Sequence, residues 1–388
     1  MESPKTKKTI ALFIMSFRAG GGERVMVDIA NAIAEEGQYQ VDLLVVKPVG
    51  QYATQVHEKV NVVSLDAGRI IFSLPKLISY LRRERPEALM ALDEYTHVLA
   101  LVAKMFARVD TRIILRVGNM YSVLYKNYKR LRDKIVPFIS RRIYKKADAI
   151  IAVSEGVKAD VIKLFSIKPE RIIVIPNPKD IEMIREKAKE PVEDIPSDLP
   201  LIVSVGRLRV QKNFPILIEA FAKVLREVPS RLVLVGTGRE EQRLREFATK
   251  QGLSDDAIIF TGFQDNPYKY MMQASVYVLS SLWEGLPNSL IEAMVCGAPV
   301  VAADCDSGPR EILAPDTDPL KRIKEGVEHA EYGILVPVGS VEDTAEALKQ
   351  MLRDEGLRGK YTEKSLERSE AFEHHAILKR YEQVMIGL

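Results

Sequence analysis

The amino-acid sequence predicts an α/β protein with two doubly wound parallel sheets. Its 388 residues exceed the roughly 250–300 at which one hydrophobic core stops growing, so two domains are expected. Short β-branched runs alternate with stretches of helical periodicity, which is the pattern of successive β-α-β units. The predicted strands are apolar on both faces, as buried parallel strands must be. They read TIALFIMS, VDLLVV, RIILR, AIIAVS and IIVIPN in the first half and LIVSVG, RLVLVG, AIIFTG, VYVLSS and PVVAAD in the second.

The stretches between these strands show helical spacing, and residues 23–37 are an example. Val25, Ile29 and Ile33 lie four positions apart, which places them on one face of a helix. Gly37 follows them as a typical helix stop. We interpret the preceding segment, TIALFIMS, as a first strand and not as part of a signal peptide, because no small-residue cleavage pattern follows it.

A polar, proline-containing stretch, KAKEPVEDIPSDLP at residues 187–200, separates the two sets of predicted strands. We therefore expect a first domain over residues 1–180 and a second over residues 181–370. A last helical segment lies within residues 371–388, after the second set of strands.

The composition excludes some classes of protein. Hydrophobic residues make up 47% of the chain and charged residues 28%, and no apolar run approaches the ~20 residues of a membrane-spanning helix. The two cysteines, Cys296 and Cys305, provide no disulfide framework and suit a reducing cytoplasm.

The net charge of +3 is divided unevenly between the two halves. Residues 1–180 contain 30 Lys and Arg against 19 Asp and Glu, a balance of +11, whereas the rest contains 26 against 34, a balance of −8. A basic half predicts an anionic partner, which could be a membrane surface, a nucleic acid or a phosphorylated acceptor.

Ligands of open α/β sheets bind beyond the carboxyl ends of the strands, so the turns after the strands are the first places to search. Gly20, Gly21 and Gly22 follow the first strand, where they permit close backbone approach and a helix N-terminus offers N–H groups to an anion. Arg207 and Lys212 follow LIVSVG, and two cations there would suit a pyrophosphate. Taken singly, a flexible turn explains the three glycines equally well, and surface solvation is the simpler explanation for Arg207 and Lys212.

A pair of carboxylates occupies the turn after VYVLSS and the helix that follows it, in the sequence SSLWEGLPNSLIEAM. Glu284 lies in the turn and Glu292 about one turn into the helix. Helical side chains lean toward the N-terminus, so Glu292 is expected to point back toward Glu284. Two carboxylates that face one ligand suit the hydroxyls of a ribose and a hexose. A capping or surface role remains the simpler explanation for either glutamate alone.

These motifs together resemble those of retaining glycosyltransferases of family 4, which have the GT-B fold. EGLPNSLIE is similar to the family's E-x(7)-E motif, GGGERV to its first glycine loop, VIPNP to its inter-domain junction and GRLRVQKN to its phosphate motif. The resemblance covers nearly the whole chain. It implies two Rossmann-like doubly wound domains that face a central cleft, with a first domain for the acceptor and a second for the nucleotide sugar. It also implies that the last helix, within residues 371–388, packs back on the first domain.

The resemblance also implies roles for particular residues. Arg207 and Lys212 would hold the donor diphosphate and, with Glu284 at the transferred sugar, carry the catalytic work. Glu292 would hold the ribose hydroxyls. The implied donor-binding set is Gly20, Gly21, Gly22, Gly206, Gly262, Phe263, Gly285, Leu286, Pro287, Asn288, Ser289 and Glu292, with Gly262 and Phe263 near the base.

The sequence departs from the family at one position. Many members carry a histidine after the strand that corresponds to RIILR, whereas this chain reads Arg116-Val117-Gly118-Asn119 there. The role of that histidine, a hydrogen bond to the donor sugar, must pass to Arg116, Asn119 or a backbone group. We associate an Arg-Asn pair at this place with transfer of amino sugars.

Other sequence patterns imitate sites of different classes. The acidic turn at residues 304–306 imitates a D-x-D metal site but lies where GT-B enzymes bind no metal, so no metal is expected. The GTG at residues 236–238 lacks the third glycine of a dinucleotide-binding loop. His374 and His375 have no ligand at a spacing that would indicate zinc.

We therefore expect transfer of a hexose or N-acetylhexosamine from a nucleoside diphosphate sugar, such as UDP-GalNAc or UDP-GlcNAc, to a hydroxyl with retained configuration. No cofactor is expected besides this donor substrate. The alternatives are a nucleotide-sugar-binding protein without turnover, which the intact motif residues disfavour, and a nucleic-acid-binding protein, which lacks a recognisable module here.

A strongly basic amphipathic segment spans residues 121–146. It carries nine Lys and Arg against one acidic residue, and its apolar residues recur at spacings of four, three, four and three. One interpretation packs this apolar stripe on the first domain. The other, which the one-sided charge favours, places the protein peripherally on the cytoplasmic face of a membrane, where it would extend a polyprenyl-pyrophosphate-linked glycan. The residues assigned to acceptor or membrane contact are Arg116, Asn119, Lys129, Arg130, Arg141 and Arg142.

Overall fold

The computed structural model describes residues 7–18, 20–126, 135–193, 195–196 and 198–387. The chain forms two compact units. The first comprises Met1–Pro178 and His375–Leu388, and the second comprises Lys179–His374. Residues 187–200, which the sequence marks as the separator, lie inside the second unit.

Among the described residues of the first unit, seven strands form one sheet in which all pairs are parallel. The spatial order is β3-β2-β1-β4-β5-β6-β7. The strands are β1 (Thr9–Ser16), β2 (Gln40–Lys47), β3 (Val60–Ser64), β4 (Ala88–Ala91), β5 (Arg112–Val117), β6 (Ala149–Ala152) and β7 (Ile172–Val174).

The described residues of the second unit form a second seven-stranded sheet in the order β10-β9-β8-β11-β12-β14-β13, in which only β13 runs antiparallel to its neighbour. The predicted fold class, two doubly wound α/β sheets, is confirmed. The strands are β8 (Leu201–Val205), β9 (Arg231–Val235), β10 (Ile258–Gly262), β11 (Val276–Leu279), β12 (Val300–Ala303), β13 (Glu328–Ala330) and β14 (Gly333–Val336).

Helices connect the strands. In the first unit they are α1 (Gly21–Glu36), α2 (Leu74–Glu84), α3 (Glu94–Ala107), α4 (Tyr121–Lys126), α5 (Ile135–Ile143) and α6 (Glu155–Phe165). In the second unit they are α7 (Ile181–Ala188), α8 (Phe214–Leu225), α9 (Glu241–Lys250), α10 (Tyr268–Met272), α11 (Asn288–Val295), α12 (Pro309–Leu313), α13 (Val341–Arg353) and α14 (Glu355–Ser369). The last helix is α15 (His374–Ile386).

The first helix confirms the prediction from apolar spacing. Val25, Ile29 and Ile33 are buried on one face of α1. The helix ends at Gly37, whose φ of 72° lies in the left-handed region that glycine adopts without strain.

Each sheet reverses its direction of winding at one pair of neighbouring strands. In the first unit this pair is β1 and β4, and in the second it is β8 and β11. The connections from the two strands of such a pair leave toward opposite sides, which opens a crevice beyond their carboxyl ends. Ligand-binding residues are therefore expected in the turns after β1, β4, β8 and β11.

The helix α15 packs in the first unit, where it meets the segment after β7. The guanidinium of Arg380 donates to the carbonyl of Val174 at 2.6 Å, and the Tyr381 hydroxyl donates to the carbonyl of Ile175 at 3.3 Å. The Tyr381 hydroxyl also accepts a hydrogen bond from Nε of Arg116 at 3.2 Å.

Arg116 differs from its predicted role. It lies on β5, is only 1% exposed, and donates to Asn177 as well as to Tyr381. Its guanidinium joins β5 to the segment after β7 and to α15, all within the first unit. The expectation that Arg116 contacts an acceptor or a membrane is corrected to a structural role, because a strand buried on both faces leaves its side chain no surface.

Neither cysteine forms a disulfide, as predicted. Cys296 and Cys305 are both free and buried. Burial raises the pKa of the Cys296 thiol to about 12, and it also raises the pKa of the Cys305 thiol. In the part of the chain that the structure describes, no helix combines the length and the apolar character needed to cross a membrane.

We expect Arg116→Met to lower the free energy of unfolding by at least about 2 kcal/mol, because Asn177 and Tyr381 lose a buried charged partner. Urea denaturation followed by circular dichroism measures this change. Arg69→Met, at an exposed arginine of the same unit, serves as the control and should unfold like the wild type. Equal unfolding of Arg116→Met and the control would contradict the structural role.

Candidate functional site

The turns after β8 and β11 bring Lys212 and Glu284 into contact. The Lys212 Nζ lies 2.8 Å from Oε1 of Glu284, and their side chains are only 16% and 10% exposed. The same oxygen accepts a hydrogen bond from the Ser281 hydroxyl at 2.7 Å, and Gln211 approaches Oε2 at 3.4 Å. Two residues 72 positions apart in the chain, both predicted as site residues, thus form one partly buried ion pair.

Backbone contacts hold the same two turns together. The Ser280 hydroxyl donates to the carbonyl of Lys212 at 2.7 Å, and the N–H of Leu282 donates to the carbonyl of Gln211 at 2.8 Å. The Gln211 amide reaches the carbonyl of Trp283 at 2.9 Å. Sequence reasoning did not identify Gln211, although it lies within the quoted GRLRVQKN motif.

Glycines shape the turn after β8. A Cβ atom on Gly206 would lie 2.8 Å from Cε of Lys212, so the lysine stem occupies that space. A Cβ on Gly236 would lie 2.1 Å from the carbonyl oxygen of Gly206, and one on Gly238 would lie 2.1 Å from that of Leu208. Gly236 and Gly238, the two glycines of the GTG after β9, therefore let the backbone of that turn pack closely against the turn that carries Arg207.

Arginines gather around this turn. Arg207 is exposed, and Arg209 and Arg239 lie close enough to influence each other. Partial burial, together with the positive charges of Arg207 and Arg239, holds the pKa of the Arg209 guanidinium below its usual value. Such mutual repulsion is relieved when an anion binds. Sequence reasoning named only Arg207, although Arg209 lies two positions later in the same motif.

Glu292 also has a lysine partner. It is the fifth residue of α11, one turn into the helix as predicted. Its Oε1 lies 2.7 Å from Nζ of Lys179, and the side chains are 12% and 6% exposed. Lys179 was missed by sequence reasoning, and the one available signal was a lysine directly after the VIPNP motif.

The two carboxylates of the motif lie near a common residue, Tyr277 of β11. Burial raises the pKa of the Tyr277 phenol, and the negative charges of Glu292 and Glu284 add to that effect. Residues 285–287, which follow Glu284, are buried. No side chain caps the N-terminus of α11 at Pro287. Asn288 and Ser289 form its first turn. The orientation of the Glu292 side chain toward the turn of Glu284 stays a prediction.

The turn after β12 packs against residues 285–287. The Ser307 hydroxyl donates to the carbonyl of Gly285 at 2.6 Å. Gly308 has a φ of 93°, and a Cβ there would lie 2.5 Å from Cδ of Pro287. Only glycine fits this close approach without strain.

Asp304, the first residue of the acidic turn, is paired with an arginine. Arg310 donates from Nη2 to its Oδ2 at 2.6 Å, and both side chains are almost fully buried. Arg310 also donates to Glu328 of β13 at 2.9 Å and 3.0 Å. The carboxylate of Asp304 is thus engaged in holding this turn.

Two further predicted donor-binding positions lie at the carboxyl end of β10. Gly262 adopts a φ of 72° and accepts a hydrogen bond on its carbonyl from the N–H of Gly236 at 2.8 Å. The side chain of Phe263 is 50% exposed, so its ring face is available for stacking.

The glycine loop of the first unit lies where the sequence places it, at the turn between β1 and α1. Gly20 precedes the helix without a side-chain cap, and Gly21 and Gly22 form its first turn. A Cβ on Gly22 would lie 3.0 Å from Leu92, directly after β4. The loop therefore lies at the switch point of the first sheet. Asn119 is exposed in the turn after β5.

The basic segment of the first unit is described in part. Arg141 and Arg142 are exposed near the end of α5, whereas Lys129 and Arg130 lie outside the described residues. Two apolar residues of α5, Ile135 and Phe138, are 56% and 58% exposed. The apolar stripe of residues 121–146 is thus exposed at these two positions. This differs from the interpretation in which the stripe packs against the first domain.

Apolar residues at the end of α3 continue this surface. Met105 and Phe106 are 50% and 61% exposed. The Lys146 ammonium lies 3.6 Å from the Met105 sulfur, and the Arg142 guanidinium lies 3.6 Å from the centre of the Phe138 ring. Cations and exposed apolar side chains are therefore intermixed here.

The expectation that no metal ligand lies at a suitable spacing from His374 and His375 is wrong. A carboxylate of Glu373 lies 3.0 Å from Nδ1 of His374, so an acidic neighbour is present where none was expected. The contact is an ion pair whenever His374 is protonated.

Two protein-family models match the chain and together account for most of it. The model described as Glycosyltransferase Family 4 matches residues 19–183, and the model described as Glycosyl transferases group 1 matches residues 185–368. A Glycosyltransferase Family 4 domain is thus followed in the chain by a Glycosyl transferases group 1 domain. The protein is a glycosyltransferase, as the resemblance predicted.

Individual proteins agree with this assignment. This glycosyltransferase is 29% identical over 97% of its length to the N-acetylgalactosamine-N,N'-diacetylbacillosaminyl-diphospho-undecaprenol 4-alpha-N-acetylgalactosaminyltransferase of Campylobacter jejuni, of which it covers 99%. It is 28% identical over 94% of its length to the lipopolysaccharide core biosynthesis glycosyltransferase LpsE of Rhizobium meliloti, of which it covers 96%.

A solved structure shows the same fold. Alr3699/HepE of Anabaena in complex with UDP-glucose superimposes with a TM-score of 0.80 over 98% of this chain and 100% of that chain, at 20% identity. The glycosyltransferase therefore has the GT-B fold, built from two Rossmann-like domains.

Proposed function

We propose that this glycosyltransferase transfers a hexose or N-acetylhexosamine from a UDP-linked sugar to a polyprenyl-pyrophosphate-linked glycan at a membrane surface, with retained configuration. The observation that carries the proposal is the Lys212–Glu284 ion pair beside the arginines at the switch point of the second sheet. It combines a cationic site for a diphosphate with a fixed carboxylate for sugar hydroxyls.

The cations support the choice of a diphosphate donor. The charges of Arg207 and Arg239 both repel that of Arg209, and an anionic group placed among them would be attracted. In GT-B glycosyltransferases the turn at the switch point is a natural site for the nucleotide. The solved HepE complex with UDP-glucose supports uracil as the base, and Phe263 offers a half-exposed ring for it.

The chemistry follows from where charge develops. As the bond between sugar and phosphate breaks, the diphosphate gains negative charge and the sugar becomes oxocarbenium-like. Preorganised cations at Arg207 and Lys212 stabilise that charge without reorganisation. The acceptor hydroxyl attacks carbon 1 from the leaving-group face and gives its proton to the departing phosphate, so configuration is retained and no protein nucleophile is needed.

Glu284 suits a binding role better than an attacking one. Its carboxylate is engaged by Lys212, Ser281 and Gln211, which fixes its orientation and lowers its nucleophilicity. It can accept hydrogen bonds from the hydroxyls of the transferred sugar on its remaining lone pairs. Glu292, one turn into α11, would receive the ribose hydroxyls.

The first unit supports a membrane-linked acceptor. The Campylobacter relative acts, by its name, on a diphospho-undecaprenol-linked glycan. The first half of this chain carries a charge of +11, and exposed Ile135 and Phe138 lie beside Arg141 and Arg142. Cations attract anionic headgroups and exposed apolar side chains enter the interface, a combination typical of peripheral membrane proteins at the cytoplasmic face. A soluble acceptor is the alternative.

We expect the purified protein to release UDP slowly from one member of a panel of UDP and GDP sugars, measured by mass spectrometry. Lys212→Ala and Glu292→Ala should each weaken donor use by ~1.5–3 kcal/mol, the value of a charge-assisted hydrogen bond, in kcat/KM. Proton NMR of the product reports whether configuration is retained. Lys223→Ala, at a partly exposed lysine of α8 paired with Glu342, is the matched control and should keep full activity.

Full activity of both site variants would remove the assigned roles. Binding of UDP without release from any sugar, even with acceptor glycan present, would favour a binding protein without turnover.

Turnover should be unchanged by EDTA, because the protein's own cations would neutralise the diphosphate and because the Asp304 carboxylate is engaged by Arg310. The rate is compared before and after chelation and after added magnesium or manganese. Loss of activity in EDTA with recovery in either metal would contradict metal independence and return attention to Asp304 and Asp306.

Liposome sedimentation should show binding that needs anionic lipid and falls steeply with salt, since each cation near such a surface contributes about 1 kcal/mol. Arg141→Glu/Arg142→Glu should weaken it, and adding Lys129→Glu and Arg130→Glu should weaken it further. Lys163→Glu/Lys168→Glu changes the charge equally at two exposed lysines elsewhere in the first unit and should have little effect. Equal binding to neutral and anionic liposomes, or to neither, would favour a soluble acceptor.

A further inference from the structure

Lys179 is a buried cation that the mechanism proposed above does not use. Its side chain is 6% exposed and its Nζ lies 2.7 Å from Oε1 of Glu292, 113 residues later in the chain. Its backbone N–H donates to the carbonyl of Phe372 at 2.8 Å. This hydrogen bond holds the backbone of Lys179 in place within the second unit.

Such a pair is costly to build. Removing two charges from water carries a desolvation penalty that their attraction often does not exceed, so a buried ion pair is weak evidence of a stabilising role. The pair instead fixes the geometry and the charge of a carboxylate. Glu292 lies one turn into α11. The pKa of the nearby Tyr277 is raised by burial and, in addition, by the charges of both Glu292 and Glu284. Lys179 therefore orients Glu292 close to Tyr277, the residue whose pKa both motif carboxylates affect.

We propose that Lys179 is a positioning residue for nucleotide recognition, which holds Glu292 as an oriented carboxylate that accepts hydrogen bonds from the ribose 2′- and 3′-hydroxyls. The inference rests on the proposed function, because it needs a nucleoside diphosphate donor. It assigns a role in donor binding to a residue that lies outside the E-x(7)-E, phosphate and glycine-loop motifs.

The arrangement parallels the other end of the motif. Lys212 holds Glu284 at 2.8 Å, and Lys179 holds Glu292 at 2.7 Å. Each ammonium commits one carboxylate oxygen, and a carboxylate has about four lone-pair directions, so each glutamate can still accept from a ligand. Lys179 acts through Glu292 and has no contact with the reacting atoms in this scheme.

The test compares two ligands that differ only at the ribose. The dissociation constants of UDP and of 2′,3′-dideoxy-UDP are measured by isothermal titration calorimetry for the wild type, Lys179→Met and Lys179→Arg. The wild type should prefer UDP by roughly tenfold or more, as expected for hydrogen bonds to a charged acceptor. Lys179→Met should lose most of this preference while its affinity for dideoxy-UDP changes little, and Lys179→Arg should recover part of it.

Steady-state kinetics provide a second measurement. Loss of binding that is equal in the ground state and the transition state raises KM and leaves kcat unchanged. Lys179→Met should therefore raise the donor KM with little change in kcat. Lys223→Met is the control, since it removes a partly exposed, ion-paired lysine of the same unit.

The outcomes separate this inference from the proposed function. A wild type that binds neither nucleotide contradicts the function and the inference with it. A wild type that prefers UDP, with Lys179→Met keeping the same preference, contradicts the role of Lys179 alone. Should Lys179→Met fail to fold, Lys179→Met/Glu292→Gln removes the uncompensated charge. That double variant should fold with a weakened preference for UDP, and a preference equal to that of the wild type would overturn the proposal.

Discussion

The pairing of β8 with β11 is the constraint on which the donor side of this glycosyltransferase depends. The two strands are parallel neighbours, with Ile202 opposite Val276 and Val203 opposite Tyr277, although the chain passes through β9 and β10 between them. Because the winding reverses here, the turns that follow leave in opposite directions and open a crevice. The Lys212–Glu284 ion pair spans the two turns at this point, and hydrogen bonds from Ser280 and Leu282 hold them in register.

Most of the fold could be predicted because its strands are long enough and apolar enough to be recognised without their partners. The exceptions have physical causes. The strand β4 reads ALMA, three residue types that favour helices, and it is a strand because it lies buried between β1 and β5. The strands β3, β13 and β14 were not recognised either, since VNVVS contains two polar residues, EHA is mostly polar, and GILV begins with a glycine, which strands disfavour.

The candidate site was predictable where it follows local pattern and not where it depends on distant contacts. Glu284 and Lys212 follow apolar strands, so position alone marks them. Lys179 pairs with a residue 113 positions away, and no spacing in the sequence connects the two. The prediction for Arg116 was wrong, because it rested on the place where many family members carry a histidine. The burial of Arg116 and its hydrogen bonds with Asn177 and Tyr381 depend on distant residues that no local pattern connects to it.

The two lysine–glutamate pairs also decide the electrostatics of the donor side. Two carboxylates only 10% and 12% exposed would repel a diphosphate strongly if they carried their charge alone, since burial weakens screening. Lys212 and Lys179 each cancel one of these charges at less than 3 Å. Arg207, Arg209 and Arg239 add further positive charge around the turn that carries Lys212, and burial together with the charges of Arg207 and Arg239 lowers the pKa of Arg209. The glutamates can thus serve as hydroxyl acceptors while the turn as a whole stays attractive to a leaving group whose negative charge increases during the reaction.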